Sequence, residues 1–404
     1  MIARGNSAAA LAQAVCCPVC GRESLVDLLE ISAVPIYCNV LWTRREEALR
    51  AKRGSIDLKH CASCGHVFNA SFDETVVDYT AAYDSSLHYS PHFSHYAEAL
   101  AKRLIERYQL RGKRIVEIGC GKGDFLALLC ERGGNRGWGF DRSFDPARMD
   151  PARSGGIEFS QEFYSAAHAA RLRPDFFCFR HVLEHVPEPR AFLGELRQGF
   201  GGRTDAVLYC EVPNALFTLK DLGIWDLIYE HCAYFTLGSL ERAVSTSGFD
   251  VLAMDEAFGG QYLYVEMRPG SGKGLVSVPA PHCAASVTQQ AGNFARQYHE
   301  KVEAWRERLR RMRQADCRTV IWGGGSKGVT FLNVLGAEIG VDYVVDLNPY
   351  KQGKYIGGTG QSVVAPEFLR EFKPTDVLVM NFLYEQEIVD LVRALGLDPR
   401  FHCV

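Results

Sequence analysis

The chain has 404 residues, 47% of them hydrophobic and 23% charged, with a net charge of −3. That length allows two or three domains with ample buried core, and the composition is ordinary for a soluble globular protein. The slightly acidic balance argues against a nucleic-acid partner, and no apolar run is long enough to span a bilayer, so no membrane partner is expected.

Residues 1–15 read M-I-A-R-G-N-S-A-A-A-L-A-Q-A-V. They lack a strongly apolar signal core, so a frayed end and a cytoplasmic location are expected. Of the 14 cysteines, ten are scattered singly and four form two C-x-x-C pairs. This pattern suits a reducing compartment plus a metal site. Cys17-Pro-Val-Cys20-Gly and Cys61-Ala-Ser-Cys64-Gly are matching knuckles, each closed by a glycine. Together they offer four thiolates to a tetrahedral Zn2+. The gap between them exceeds the usual zinc-ribbon spacing of roughly 15–20 residues, so it must hold a small subdomain, including residues 25–31 and the segment around Tyr37. Cys16 and His66 are weaker ligand candidates. Unligated thiols and a redox C-x-x-C are the alternatives, but no thioredoxin-like strand and helix surround the motif. Four protein ligands leave no open position, so a structural metal is expected in a domain spanning residues 1–75.

Residues 76–268 read as the core. A polar, aromatic stretch at 78–90 contains Tyr83, and a helix follows at 91–108. Next comes R-I-V-E-I-G-C-G-K-G-D at 114–124. Ile115, Val116 and Ile118 form a short buried strand, Gly119, Gly121 and Gly123 a tight turn, and residues 125–130 open a helix. Backbone N–H groups converge at such a turn, and absent side chains admit a ligand. Glu117 inside the motif, and Asp141 closing the next strand where ribose hydroxyls would need an acceptor, sharpen the reading. The acid-then-glycine pattern resembles motif I of class I S-adenosylmethionine-dependent methyltransferases, with Glu117, Gly119, Cys120, Gly121, Gly123 and Asp141 around the cofactor. A nicotinamide domain competes, and a turn that serves only packing is the plain alternative. Strands are expected at 138–141, 157–160, 175–180, 206–212, 249–254 and 261–266. Their alternation with helices implies a doubly wound α/β sheet ending in a hairpin, with the ligand at the strand ends.

Two motifs hang at those ends. His181-Val-Leu-Glu184-His185-Val-Pro187 follows a strand, and its histidines share a face if the segment is helical. H-x-x-E-H also occurs in zinc proteases, but no third ligand is evident. The second motif, Glu211-Val-Pro213-Asn214, leads through a long connection to Tyr229-Glu230-His231-Cys-Ala-Tyr234-Phe235. A histidine can take a proton near neutral pH, and a neighbouring carboxylate can hold it. Against this, the aromatics could simply be core and His231 could satisfy a buried carbonyl.

Residues 269–404 form a third region, with a linker at about 269–284. A long helix to about 313 places Phe294, Tyr298, Val302, Trp305, Leu309 and Met312 on one face. A strand at 319–322 runs into Gly323-Gly-Gly325-Ser326-Lys327-Gly328, and another ends at Asp346 before Asn348-Pro-Tyr-Lys351-Gln352. A second, Rossmann-like nucleotide fold is expected, and Lys327 and Lys351 suit a pyrophosphate. A domain that only docks is the alternative.

With the paired C-x-x-C, E-I-G-C-G-K-G, H-V-L-E-H-V-P, E-V-P-N, Y-E-H-C-A-Y-F-T, G-S-K-G and D-x-N-P-x-K-Q-G in place, nearly the whole chain resembles the sugar C-methyltransferases of deoxysugar and polysaccharide biosynthesis. The resemblance implies a zinc domain, a class I methyltransferase core and a Rossmann-like C-terminal domain, with a nucleotide-linked keto-sugar bound between the last two. It implies His231 as base beside Glu230, with Tyr83 and His185 lining the sugar site. Asn214, Tyr229, Ser326, Lys327, Asp346, Lys351 and Gln352 are the substrate-binding candidates. His181 departs from the pattern, since members acting on antibiotic sugars carry Asn there. Base-generated enolate chemistry, S-adenosyl-L-methionine, structural Zn2+ and a monomer or small homo-oligomer complete the expectation. An O- or N-methyltransferase, a nicotinamide oxidoreductase using the C-terminal glycine loop, a nucleic-acid methyltransferase and a non-catalytic scaffold are the rivals.

Overall fold

The computed structural model describes residues 16–148, 155–274, 278–336 and 339–404, so the expected frayed end at 1–15 lies outside the described residues. In chain order the strands are β1 Leu25–Pro35, β2 Arg53–Cys61, β3 Val67–Asn69, β4 Arg114–Ile118, β5 Arg136–Phe140, β6 Ile157–Ser160, β7 Phe176–Arg180, β8 Val207–Pro213, β9 Ala233–Tyr234, β10 Phe249–Ala257, β11 Tyr262–Pro269, β12 Thr319–Trp322, β13 Val341–Val345, β14 Ser362–Val364, β15 Asp376–Val379 and β16 Arg400–Cys403. They form three sheets.

The central sheet runs β10-β11-β8-β7-β4-β5-β6. Strands β4 to β8 are parallel, and β11 is antiparallel to both of its neighbours. The sequence dictates the centre: all five residues of β7, Phe-Phe-Cys-Phe-Arg, are buried, as a strand covered on both faces requires. The glycine turn after β4 and the segment after β7 therefore emerge side by side at one sheet edge, where open α/β sheets bind ligands. The helix Pro91–Tyr108 starts where Ser90 caps it, accepting the Phe93 N–H at 3.2 Å, with proline at its first position.

The C-terminal sheet is all parallel, in the order β14-β13-β12-β15-β16. The 31-residue helix Ala284–Gln314 buries Phe294, Tyr298, Val302, Trp305, Leu309 and Met312. It does not leave the N-terminal region behind. One apolar core joins Ile56 and Leu58 of β2, Trp225 of the long connection, Phe294 and Trp305 of this helix, and Phe331 and Val344 of the C-terminal fold.

The N-terminal sheet crosses the boundary expected at residue 75. Its order is β1-β2-β3-β9, and β9 comes from the core, two residues after His231. Two residues with no polar/apolar alternation carry no strand signal of their own; the edge of β3 recruits them. Among the described residues no helix is long and apolar enough to cross a membrane.

Candidate active site

Gly119, Gly121 and Gly123 have φ of +66°, +55° and +87°, values that favour glycine. A Cβ on Gly119 would lie 2.2 Å from Val182 Cγ2, whereas one on Gly121 would meet nothing within 4 Å. The first glycine admits the neighbouring strand end and the second leaves an open face. Asp141 ties the turn down: its Oδ2 accepts the Gly121 N–H at 2.8 Å and its Oδ1 the Ser143 N–H at 2.6 Å. Glu117 is buried with Oε2 unpartnered, and burial pushes its carboxyl up to about 8, with Arg180 opposing the shift. Glu117, Gly119, Cys120, Gly121 and Asp141 line one cavity of about 440 Å³, and Gly123 caps the helix Asp124–Gly133 just outside it.

The opposite wall repeats the device. Residues 323–325 lead from β12 into the helix Ser326–Leu335. Asp346 Oδ2 accepts the Gly324 N–H and its Oδ1 the Asn348 N–H, both at 2.8 Å. Lys351 is buried, 3.8 Å from Asp346 Oδ2, and Lys327 Nζ lies 2.7 Å from Asp226 Oδ2. Ser326, Lys327, Asp346 and Lys351 line the same cavity. Both glycine loops thus open into one space.

Between them stands a cluster of aromatics, histidines and carboxylates. The 78–90 stretch is pinned by a bridge between Val40 and Tyr83 and by Ser86 Oγ donating to Asp124 Oδ2 at 3.1 Å. Tyr83 accepts from Asn39 Nδ2 at 3.3 Å, and Tyr79 stands against it edge-on. His185 Nδ1 lies 2.9 Å from both the Glu230 carbonyl and the Tyr79 hydroxyl, partners that assign the proton to Nδ1. The His185 and His231 rings meet edge-on at 4.9 Å. Burial lowers His231 to about 3 and His185 to about 4, so both are neutral at physiological pH. His181 behaves oppositely. Burial disfavours its charge, but Glu184 Oε1 at 3.4 Å from Nδ1 and Glu211 Oε1 at 3.3 Å from Nε2 outweigh that and hold it up to about 9. It sits at φ +53°, a strained left-handed conformation for a side-chain-bearing residue.

The structure does not bring every expected residue to the cavity. Glu230 points away: its Oε2 accepts the Cys38 N–H at 2.8 Å, and burial pushes its carboxyl up to about 8. A tight turn, closed by the His231 N–H on the Ile228 carbonyl at 3.2 Å, sends the side chains of residues 230 and 231 to different sides. The carboxylate grouped with His231 is instead Glu184: ligand atoms of Glu184, His185 and His231 lie within 4.8 Å of one another. Asn214 caps a short helix and donates to Glu256 and the Gly260 carbonyl. Tyr229 accepts the Asp73 N–H at 3.0 Å and packs on Phe72. Gln352 braces the Asp346 carbonyl at 3.0 Å from behind. None of these four lines the cavity.

Four wall residues, Asn39, Tyr79, Arg180 and Glu184, are ones the sequence reading did not assign to the site. Glu184 was visible inside H-V-L-E-H, and Tyr79 lies four positions before Tyr83. Asn39 comes from the N-terminal region and had no motif to flag it. Arg180 closes β7 and is held by Glu211 at 2.8 and 3.0 Å. Away from the cavity, Cys17, Cys20, Cys61 and Cys64 converge with sulfur atoms within 4.8 Å; Cys17–Cys64 is 3.6 Å and Cys20–Cys61 is 3.5 Å. Four thiolates on a tetrahedral ion would stand about 3.8 Å apart, so the donor set fits such a metal.

Residues 93–254 match the methyltransferase domain and residues 284–396 the C-methyltransferase C-terminal domain. The chain is 24% identical over 400 residues to the C-methyltransferase NovU of Streptomyces niveus, covering 93% of this chain and 91% of that one. It is 30% identical over 90 residues to a ubiquinone biosynthesis O-methyltransferase of Neisseria meningitidis, covering 21% of this chain and 38% of that one. Among solved structures, it is similar to 1,6-didemethyltoxoflavin-N1-methyltransferase of Burkholderia thailandensis, with bound S-adenosylhomocysteine, at 17% identity and a TM-score of 0.34, covering 45% of this chain and 81% of that one. The glycine turn with its strand-end acid, the sheet order and the paired domain matches agree: the chain is an S-adenosylmethionine-dependent methyltransferase that carries a match to a C-methyltransferase C-terminal domain.

Proposed function

We propose that this protein methylates a carbon of a nucleotide-linked keto-sugar in the cytoplasm, acting as a monomer or small homo-oligomer with a structural Zn2+ in its four-cysteine cluster. The observation that carries the reading is the single cavity into which two glycine loops open, with Tyr83, His185 and His231 on its wall between them. The turn at residues 119–123, with Glu117 Oε2 unpartnered and Asp141 tethered, suits S-adenosylmethionine, which when bound supplies an electrophilic methyl group. The second loop, with Ser326 at a helix N-terminus and Lys327 and Lys351 beside it, suits a diphosphate.

A sugar C–H is a poor acid until a neighbouring carbonyl stabilises the carbanion. His231, neutral and with Nδ1 buried and unpartnered, accepts that proton. Tyr79 has the His185 N–H directed at its hydroxyl oxygen and so keeps its own proton for the developing oxyanion, with Tyr83, held by Asn39, packed against it. Glu184 stabilises the imidazolium that forms; Glu230, protonated and turned toward Cys38, braces the wall. His181, held as a cation between Glu184 and Glu211, fixes the Glu184 carboxylate.

Incubation with S-adenosylmethionine and a panel of keto-sugar nucleotides, followed by NMR of the product, tests the reading. A new C–CH3 signal is expected. An O–CH3 signal would replace enolate chemistry with methylation of a hydroxyl.

A further inference from the structure

We propose that Glu184, His185 and His231 also form a binding site for a late first-row divalent cation such as Zn2+ or Co2+, separate from the four-cysteine cluster. Their ligand atoms lie within 4.8 Å of one another on the cavity wall. Glu184 is 1% exposed, and both of its carboxylate oxygens are buried without a hydrogen bond. Among the described residues its close cationic neighbour is His181, whose Nδ1 stands 3.4 Å from Oε1. A single imidazolium beside one oxygen leaves the other buried carboxylate oxygen without a partner, which is costly and which a metal cation would satisfy.

The histidines are prepared for the same task. The Glu230 carbonyl and Tyr79 hydroxyl both take His185 Nδ1, which leaves the Nε2 lone pair free. Metal-binding histidines commonly show this arrangement, with the far nitrogen fixed by a carbonyl. His231 keeps Nδ1 buried and unpartnered. Two imidazoles and one carboxylate suit imidazole-preferring divalent metals, and three protein ligands leave positions open toward the cavity. The consequence for turnover rests on His231 being the base: a bound cation would take the lone pair that must accept the substrate proton, so such metals would inhibit.

The test is a Co2+ titration of the full chain already carrying one equivalent of Zn2+. One further Co2+ should bind and give visible d–d bands without a thiolate charge-transfer band. Glu184→Gln and His185→Gln should each weaken that binding more than about 10-fold, with the near-ultraviolet circular dichroism unchanged as the check on folding. No Co2+ spectrum in the wild-type protein, a thiolate-type spectrum only, or equal binding in both variants would overturn the site. If Co2+ binds but His231→Asn still turns over, the cation site stands and the base assignment falls.

Discussion

In the proposed reaction the proton transfer falls to position 231. His231→Asn removes the proton acceptor while leaving the glycine turn untouched, so turnover should fall by ~10²–10⁴-fold with S-adenosylhomocysteine affinity near normal; retained turnover would remove His231 from its role. The depressed histidines also make a stability prediction. His231 at about 3 and His185 at about 4 bind fewer protons in the fold than in the unfolded chain below the ordinary value of roughly 6.5. Stability should therefore fall as pH drops from about 6.5 toward 4, and His231→Asn should soften that fall. His181 has the opposite sign: its contribution is present below its ordinary value and lost as pH rises through about 9. Melting temperature against pH, wild type beside variant, reads both, and superimposable curves would contradict the assignment. This is also the scale at which the sequence was least legible. It placed Glu230 beside His231 because they are neighbours in the chain, but a turn closed between residues 228 and 231 separates their side chains. Adjacency in sequence says nothing about side-chain direction in a turn.

The elements explain which glycines matter. Gly119→Ala would force a Cβ to within 2.2 Å of Val182 at positive φ, whereas Gly121→Ala meets open space and carries only the backbone penalty, of order 1–2 kcal/mol. Gly119→Ala should lower the melting temperature more, and equal losses would contradict the packing account. The knuckles are elements too. Cys61→Ser should release the metal and destabilise the sheet that receives β9, and a variant that stays folded and metal-loaded would refute a structural role. Regular elements were legible: the helix Pro91–Tyr108, strand β12 and the apolar stripe of Ala284–Gln314 follow from periodicity, caps and glycine turns. Strand β9 was not, because two residues joined to a distant edge have no period to read.

Across the whole molecule, the site is a joint product. Asn39 comes from the segment between β1 and β2, His231 from the connection that ends in β9, and Lys351 from the C-terminal fold, and all three line one cavity. The two walls mirror each other: a strand-end aspartate holds a glycine-loop amide at 2.8 Å on each side, Asp141 on Gly121 and Asp346 on Gly324. Sequence revealed both halves of that symmetry, because acid and loop recur at similar spacing. It could not reveal that Asn214 and Tyr229 serve packing, since that depends on which partner each meets across the fold. Lys351→Ala should weaken nucleotide binding by ~10–100-fold, the scale of one charged hydrogen bond, and leave S-adenosylhomocysteine binding unchanged.

The central claim is that one cavity holds a methyl donor and a nucleotide-linked acceptor together. Calorimetric titration of the purified protein with S-adenosylhomocysteine, then with nucleoside diphosphates and nucleotide-sugars on the saturated complex, tests it most directly. The account predicts binding of the first and additional, selective binding of one nucleotide. Absence of S-adenosylhomocysteine binding, or displacement of it by every nucleotide that binds, would contradict it.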